Sequence, residues 1–345
     1  MLTNKQFTQF KQELPDIIDI YKKEYSEQKP TNSQTYEKQW AQRLTTALKE
    51  LKTVINQTEK NVKIKPKHFG RPPKAQAKQK ALILLAKDLV QLSGRKMANL
   101  LPLFSLFDDV DISYKTVERA YSNPLVKMII HNMFIILVKN KKIKQADLTG
   151  DGTGYSLTIT KHYRSIREKA GEKIKSNIKP IVTGAKPQTK QDKKRLFTYA
   201  FAFMDLGTHM YVGYGASLKS EKAAFRAALE LMGECGVHAK SVRLDQYYAS
   251  QSTSVVFEAN TAMYLIPKSN ATIKGSYVWE DMIVDFISYP FLFLSECFRR
   301  ENSESGFSLD KRCCGWRIWQ RLEGRVQTVT LCRGLWDNLL WLGGC

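Results

Sequence analysis

The sequence predicts an α/β fold in which a mixed sheet is flanked by helices and preceded by an all-α region. Helical periodicity with polar faces dominates the chain up to residue 143, and short β-prone runs begin at residue 144. An amphipathic helical segment interrupts those runs, and helical patterns rich in tryptophan follow them. Strands that alternate with helices indicate a sheet covered by helices.

The net charge indicates a polyanionic partner. The 345 residues carry 54 Lys+Arg against 33 Asp+Glu, a formal net charge of +21. Nucleic-acid-binding proteins show such an excess, although ribosomal and membrane-facing proteins share it. No signal peptide opens the chain, and the longest apolar runs, 128–138 and 291–294, are too short to span a bilayer. We therefore expect a soluble, intracellular protein.

The six cysteines predict no structural zinc site. None of them forms a CxxC pair, and the histidines lie elsewhere in the chain. We expect free, partly buried thiols in a reducing compartment, and no sequence motif indicates an organic cofactor.

The organisation of the chain predicts four parts. Residues 1–62 form an N-terminal helical region, 63–74 a basic linker, 75–143 a second helical region, and 144–345 the α/β domain. Prolines, a glycine and basic residues make the linker extended, so that Arg71 could lie along a DNA backbone. A solvated tether is the alternative interpretation.

The second helical region resembles a helix-turn-helix. A helix from about Ala75 to Leu92 ends at a Ser-Gly pair, a short helix runs from Arg95 to Leu101, and Ser113 is a plausible cap for a third. The third helix carries Lys115 and Arg119, which would face DNA. Periodicity does not separate this arrangement from an ordinary helical bundle.

The α/β region has the element order β-β-β-α-β-α-β followed by helices, which is the order of the RNase H-like fold. Other α/β folds are compatible with strand–helix alternation, so the order alone is not specific. The predicted strands cover 145–160, 196–205, 210–214, 241–245 and 262–267, and the predicted helices between them cover 220–235 and 252–260.

Three carboxylates stand in suggestive positions. Asp151 is flanked by glycines, and Asp245 closes the fourth strand, where ligands of open α/β sheets gather. Glu304 has Arg300 four residues before it and Lys311 seven after, so a helix would place all three on one face. Each residue alone has an ordinary structural explanation. Together they could hold two Mg²⁺ or Mn²⁺ ions about 3.5–4 Å apart.

These motifs resemble those of the prokaryotic insertion-sequence DDE transposases, which have an RNase H-like catalytic domain. The resemblance covers about residues 145–342 and rests on Asp-Gly-Thr-Gly at 151–154, Leu-Asp at 244–245, and the spacing R-(3)-E-(6)-K. It implies that Asp151, Asp245 and Glu304 are catalytic metal ligands. Cys297 stands where the family often has a tyrosine, which leaves the role of that position in doubt.

The resemblance also implies activity and partners. The protein would bind the terminal inverted repeats of its element and catalyse metal-dependent DNA cleavage and strand transfer. Arg300 and Lys311 would contact phosphates at the element ends. The partners would be double-stranded DNA, as element end and as target, and further copies of the chain in a dimer or larger synaptic complex, with no membrane. The location would be cytoplasmic, and nucleoid-associated when the protein is bound to DNA.

Alternatives remain open for two of the three carboxylates. Asp147 could replace Asp151, although the run Gly-Thr-Gly after Asp151 favours the latter. Glu296 or Glu301 could replace Glu304, but neither has both cations at the required spacing. Two alternative functions also remain: an inactive protein that binds element ends, and an RNase H-like nuclease that cuts without joining strands.

A basic insertion is predicted between the first two strands. Residues 161–195 hold twelve Lys/Arg against three acidic residues. Lysine and arginine contact phosphates without reading sequence, so Lys161, Arg164 and Arg167 would line a DNA channel near Asp151. A flexible, solvated loop is the alternative.

Overall fold

The computed structural model describes residues 3–25, 33–62, 74–92, 94–97, 100, 112–158 and 197–342. The predicted basic linker, except for Lys74, and the basic insertion 161–195 lie outside these residues. Four predicted DNA contacts lie outside them too: Arg71, Lys161, Arg164 and Arg167.

The described residues form helices before, within and after a six-stranded sheet. The helices are α1 (Asn4–Tyr25), α2 (Ser33–Asn61), α3 (Ala77–Leu89), α4 (Tyr114–Ala120), α5 (Pro124–Asn140), α6 (Glu221–Cys235), α7 (Gln251–Ser254), α8 (Tyr277–Ser288), α9 (Pro290–Phe298), α10 (Glu301–Cys314) and α11 (Glu323–Leu342). The strands are β1 (Gln145–Leu157), β2 (Phe197–Asp205), β3 (Tyr211–Ser217), β4 (His238–Leu244), β5 (Ala262–Tyr264) and β6 (Arg317–Ile318).

The sheet is mixed, with the order β3-β2-β1-β4-β5 and with β6 paired to the end of β1. Strands β1, β2 and β3 form an antiparallel meander. Strands β4 and β5 run parallel to β1, because helices connect them across the sheet. The predicted mixed α/β architecture is confirmed, and β1 lies in the centre of the sheet.

Helices cover both faces of the sheet. Phe225 of α6 packs against Phe201 and Phe203 of β2 on one face. On the other face, Tyr214 of β3 lies against Gly334 of α11, and α10 lies beside β1. Because side chains alternate along a strand, consecutive residues of β1 reach opposite helical layers.

The hydrophobic core is continuous across the predicted domain boundaries. Helix α11 packs against α2, α3 and α5 as well as against β3. The indole N–H of Trp336 donates to the carbonyl of Leu85 at 3.0 Å, and Phe10 meets Phe286 edge-on at 5.1 Å. The boundaries at residues 62 and 143 stay a prediction, but the described segments share one core.

The helix-turn-helix also stays a prediction. Helices α3 and α4 and the helical residues 94–97 agree with its outline, but residues 101–111 lie outside the described chain. Lys115 and Arg119 are exposed on α4.

Among the described residues, no single helix is long and apolar enough to cross a membrane. Only α4 and α5 taken together meet that test, and they join at a bend of 57°.

Two glycines of β3 allow α6 to approach the sheet closely. A Cβ atom on Gly215 would lie 2.1 Å from the carbonyl oxygen of Ala224 and 2.5 Å from the amide nitrogen of Ala228. A Cβ on Gly213 would meet the Ala228 carbonyl oxygen at 2.4 Å. Since these neighbours are backbone atoms of a helix, they cannot move aside without moving α6 itself.

We expect Gly215→Ala to lower the free energy of unfolding by about 1–3 kcal/mol, as overpacking of a core does. Gly154→Ala in β1 is the matched control, because its Cβ would meet no atom closer than 3.6 Å. Urea unfolding of both variants measures the difference. Equal stability of the two variants would contradict the close packing of α6 on β3.

Candidate active site

Two of the predicted carboxylates lie side by side on neighbouring parallel strands, Asp151 in the middle of β1 and Asp245 just after the end of β4. Gly150 of β1 pairs with Leu244 of β4, so Asp151 and Asp245 follow side by side. The Asp151 carboxylate accepts a hydrogen bond from the Gly152 amide at 2.8 Å. Asp245 accepts one from the Gln246 amide at 2.6 Å and thereby caps a short 3-10 turn, Gln246–Tyr248.

Arg300 connects Asp151 to Glu304. One guanidinium nitrogen donates to the Asp151 carboxylate at 3.2 Å, and another lies 3.5 Å from the Glu304 carboxylate. Arg300 immediately precedes α10, and Glu304 lies in its first turn. Further along, Lys311 donates to the Thr153 hydroxyl at 2.7 Å. The predicted helix is present over Glu301–Cys314, with Arg300 just before it, and the Arg300 and Lys311 side chains reach β1.

The three carboxylates influence one another electrostatically. Burial is the largest cause of a raised pKa at Asp151, whose side chain is 18% exposed. The Gly152 amide and Arg300 oppose this rise, and the negative charges of Glu304 and Asp245 add to it. The low-dielectric environment and the repulsion from two neighbouring carboxylates therefore both make ionisation of Asp151 less favourable.

The donor set fits a divalent cation in its chemistry. Carboxylate oxygens are the ligands that Mg²⁺ and Mn²⁺ prefer, and a cation would relieve the repulsion that raises the Asp151 pKa. In the described part of the chain, however, no three Asp, Glu, His or Cys side chains are close enough together to hold a metal ion. Arg300 instead provides the positive charge between Asp151 and Glu304.

A cleft of about 670 Å³ lies beside these residues, and α1 forms its other wall. The carboxylate side contributes Asp245, Arg300 and Glu304. The α1 side contributes Lys11, Leu14, Pro15, Ile18, Asp19 and Lys22. Lys11 fastens α1 to the loop after β5 by donating to the carbonyls of residues 269 and 271 at 2.9 and 2.7 Å.

The alternative carboxylates make other contacts. Asp147 accepts a hydrogen bond from Ser241 at 2.6 Å near the start of β1. Glu296 is paired with Arg243 and Arg299. Glu301 is exposed and lines the same cleft as Glu304. Glu301 is therefore the remaining alternative to Glu304 within the cleft, and the assignment between them stays a prediction.

Two further parts of the chain contribute to this region, and neither was predicted from the sequence. One is α1. Phe7 and Phe10 are buried although this helix is mostly polar, and these two aromatic residues were the sequence signal that α1 packs against another element. The other is Glu221 in the first turn of α6, whose carboxylate accepts a hydrogen bond from Tyr248 at 2.7 Å. Glu221 lies close to Gly152. A Cβ atom on residue 152 would be 2.4 Å from a carboxylate oxygen of Glu221. A side chain at position 152 would therefore displace the Glu221 carboxylate.

A buried polar network connects α10 to β1 and to α11. The Tyr155 hydroxyl of β1 donates to the Asp310 carboxylate at 3.1 Å. Arg333 of α11 donates to the carbonyls of residues 314, 315 and 317, where α10 ends, and its guanidinium lies 4.4 Å from the Tyr155 ring centroid. These contacts fix α10 against β1 and thereby fix the position of Lys311.

The fold and the cleft define an α/β protein with neighbouring carboxylates on two parallel strands and an adjacent helix. No family model matches the sequence, and no solved structure matches it. The chain is 40% identical over 273 residues to an Archaeoglobus fulgidus protein named "Probable transposase for insertion sequence element ISA1214". The match covers 79% of this chain and 77% of that protein. The chain belongs to the insertion-sequence transposases.

Asp310 gives a testable dependence of stability on pH. Burial raises its pKa from 3.8 to about 7, against the opposing effects of Tyr155, Arg333 and Lys311. The folded state therefore holds this proton more tightly than the unfolded chain. The resulting stability is fully present below the unfolded pKa and is lost as pH rises through about 7.

We expect Asp310→Asn, which has no such proton to lose, to gain unfolding free energy relative to wild type as pH rises from 3.8 to about 7. Urea unfolding of both proteins at several pH values measures this difference. A difference that stays constant across that range would show that Asp310 titrates normally in the folded protein.

Proposed function

We propose that this transposase cuts and joins DNA through Asp151, Asp245 and Glu304, on an RNase H-like catalytic domain. The observation that carries the proposal is the Arg300 bridge between Asp151 and Glu304 beside Asp245. The bridge brings together carboxylates that are far apart in sequence. The strand and helix order, with β1 in the centre of a mixed sheet, supports the RNase H-like assignment.

The three carboxylates would hold two Mg²⁺ or Mn²⁺ ions if the Glu304 side chain turned toward the two aspartates, because as placed in the described structure they are not close enough together for a metal ion. When bound, such ions activate the attacking hydroxyl and stabilise the leaving oxygen of a phosphoryl transfer. Asp151 and Asp245 extend from adjacent strands and are held by backbone amides, so their positions are set by the sheet. Glu304 is held differently, because its side chain is 60% exposed and its partner is an arginine at 3.5 Å.

Arg300 and Lys311 would bind DNA phosphates beside the carboxylates. The planar guanidinium of Arg300 can form two parallel hydrogen bonds to a phosphate, as it can to a carboxylate. Lys311 lies 4.7 Å from the Trp316 ring centroid and donates to Thr153, which places its charge along β1. Arg300 lies just before α10 and Lys311 lies within it, on either side of Glu304 in sequence, so a bound phosphate would lie near the carboxylates.

The remaining predicted DNA contacts fit a larger interface. Lys115 and Arg119 are exposed on α4, where they are free of the core and could contact the element ends. The basic residues of the linker and of the insertion would add further phosphate contacts. The net charge of +21 supports such an extended interface, and two copies of the chain would be needed to hold two element ends together.

We expect Glu304→Gln to reduce Mg²⁺-dependent cleavage of an element-end duplex by about 10²–10³-fold while DNA binding is kept, because the amide removes one negative charge from the metal site. Glu301→Gln, which makes the same change three residues earlier in the same cleft, is the matched control and should cleave like wild type. Labelled DNA fragments resolved on a denaturing gel measure cleavage, and anisotropy measures binding.

Three outcomes would contradict the proposal in different ways. Loss of cleavage in the Glu301 variant alone would assign the catalytic role to Glu301. Tight end binding without cleavage by the wild type would favour an inactive DNA-binding protein. Cleavage without joining of a pre-cut end to a target plasmid would indicate a nuclease.

A further inference from the structure

An aromatic side chain stands exposed at the edge of the candidate active site. Tyr247 follows Asp245 by two residues, in the 3-10 turn that Asp245 caps, and is 48% exposed. A large aromatic ring is normally buried where it can be, since burial removes its apolar surface from water. An exposed ring beside converging carboxylates is therefore a candidate binding surface.

Three hydrogen bonds hold the turn that carries Tyr247 in place. Asp245 accepts the Gln246 amide hydrogen bond, and the Gln246 side chain donates to the Pro267 carbonyl at 2.9 Å. The next residue, Tyr248, is buried, and its hydroxyl donates to Glu221. The rings of Tyr247 and Tyr248 meet at 89° with centroids 5.2 Å apart. A ligand on Tyr247 would meet a turn that is already ordered, which lowers the entropy lost on binding.

Two lysines from separate elements converge on the same ring. The ammonium of Lys222, in the first turn of α6, lies 5.8 Å from the Tyr247 ring centroid. The ammonium of Lys268, after β5, lies 5.5 Å from it and donates to the Tyr247 carbonyl at 2.7 Å. Both ammoniums are at the end of long, flexible chains, so they can move from the ring to a phosphate at small cost.

We propose that Tyr247, Lys222 and Lys268 bind an unpaired DNA nucleotide next to the scissile phosphate. The base would stack on the Tyr247 ring, and the lysines would contact the flanking phosphates. Base faces within a duplex are covered by neighbouring base pairs, so only an unpaired base can use this ring. The inference rests on the proposed function, since it places the nucleotide relative to Asp245, and it adds a preference for locally unpaired DNA.

The test compares two generic probes with the full-length protein in the absence of Mg²⁺. One is a blunt duplex, and the other is the same duplex with an unpaired oligothymidine extension. Stacking tolerates any base sequence, so the element end is not needed. We expect Tyr247→Ala to weaken binding of the extended probe by about 5- to 150-fold, the range for one stacked base, and to leave blunt-duplex binding unchanged. Tyr247→Phe should bind like wild type.

Two sets of variants control for exposure and charge. Tyr277→Ala removes a tyrosine that is 79% exposed at the start of α8 and should change neither affinity. Lys222→Ala and Lys268→Ala should each flatten the salt dependence of extended-probe binding by about 0.7 in logarithmic slope, the value for one contact to a single strand.

Failure of this inference and of the proposed function can be told apart. If the wild type binds both probes but Tyr247→Ala binds the extended probe as tightly as wild type, the stacking surface is wrong and the proposed function stands. The same conclusion follows if the wild type shows no preference for the extended probe. If the wild type binds neither probe, DNA binding itself is contradicted, and the stacking surface with it.

Discussion

The candidate site depends on one guanidinium. Arg300 lies between Asp151 and Glu304, and without its positive charge two carboxylates beside Asp245 would repel one another across the junction of β1 and α10. A cation at this point offsets the repulsion between the carboxylates. The same residue is suited to bind a phosphate, so one side chain can serve the protein alone and, under the proposed function, its complex with DNA.

The Arg300 carbonyl accepts a hydrogen bond from the Thr149 hydroxyl of β1 at 3.3 Å, and the helix that follows Arg300 is held by buried contacts near its C-terminal end. Tyr155 and Asp310 join β1 to α10, and Arg333 joins the end of α10 to α11. These groups are buried, where an unpaired polar group is unfavourable, so the network has few alternative arrangements. The site is thus attached to the centre of the sheet, although Glu304 and Asp245 themselves are exposed.

The N-terminal half of the chain contributes to the site through α1. Phe10 packs on Phe286, and Tyr21 stacks on Phe298 with ring centroids 5.3 Å apart. These contacts place α1 opposite Asp245 and Glu304, where it narrows the cleft to about 670 Å³.

The sequence by itself determined the α/β class, the strands that carry Asp151 and Asp245, and the helix that carries Glu304, because hydrophobic periodicity and local spacing act over a few residues. Only the tertiary structure decided that Arg300 bridges two carboxylates, that Glu221 packs on Gly152, and that α1 borders the cleft. The physical reason is that local patterns and tertiary contacts act over different separations along the chain. Contacts between residues far apart in sequence depend on how layers pack, and local patterns carry no record of which surfaces meet.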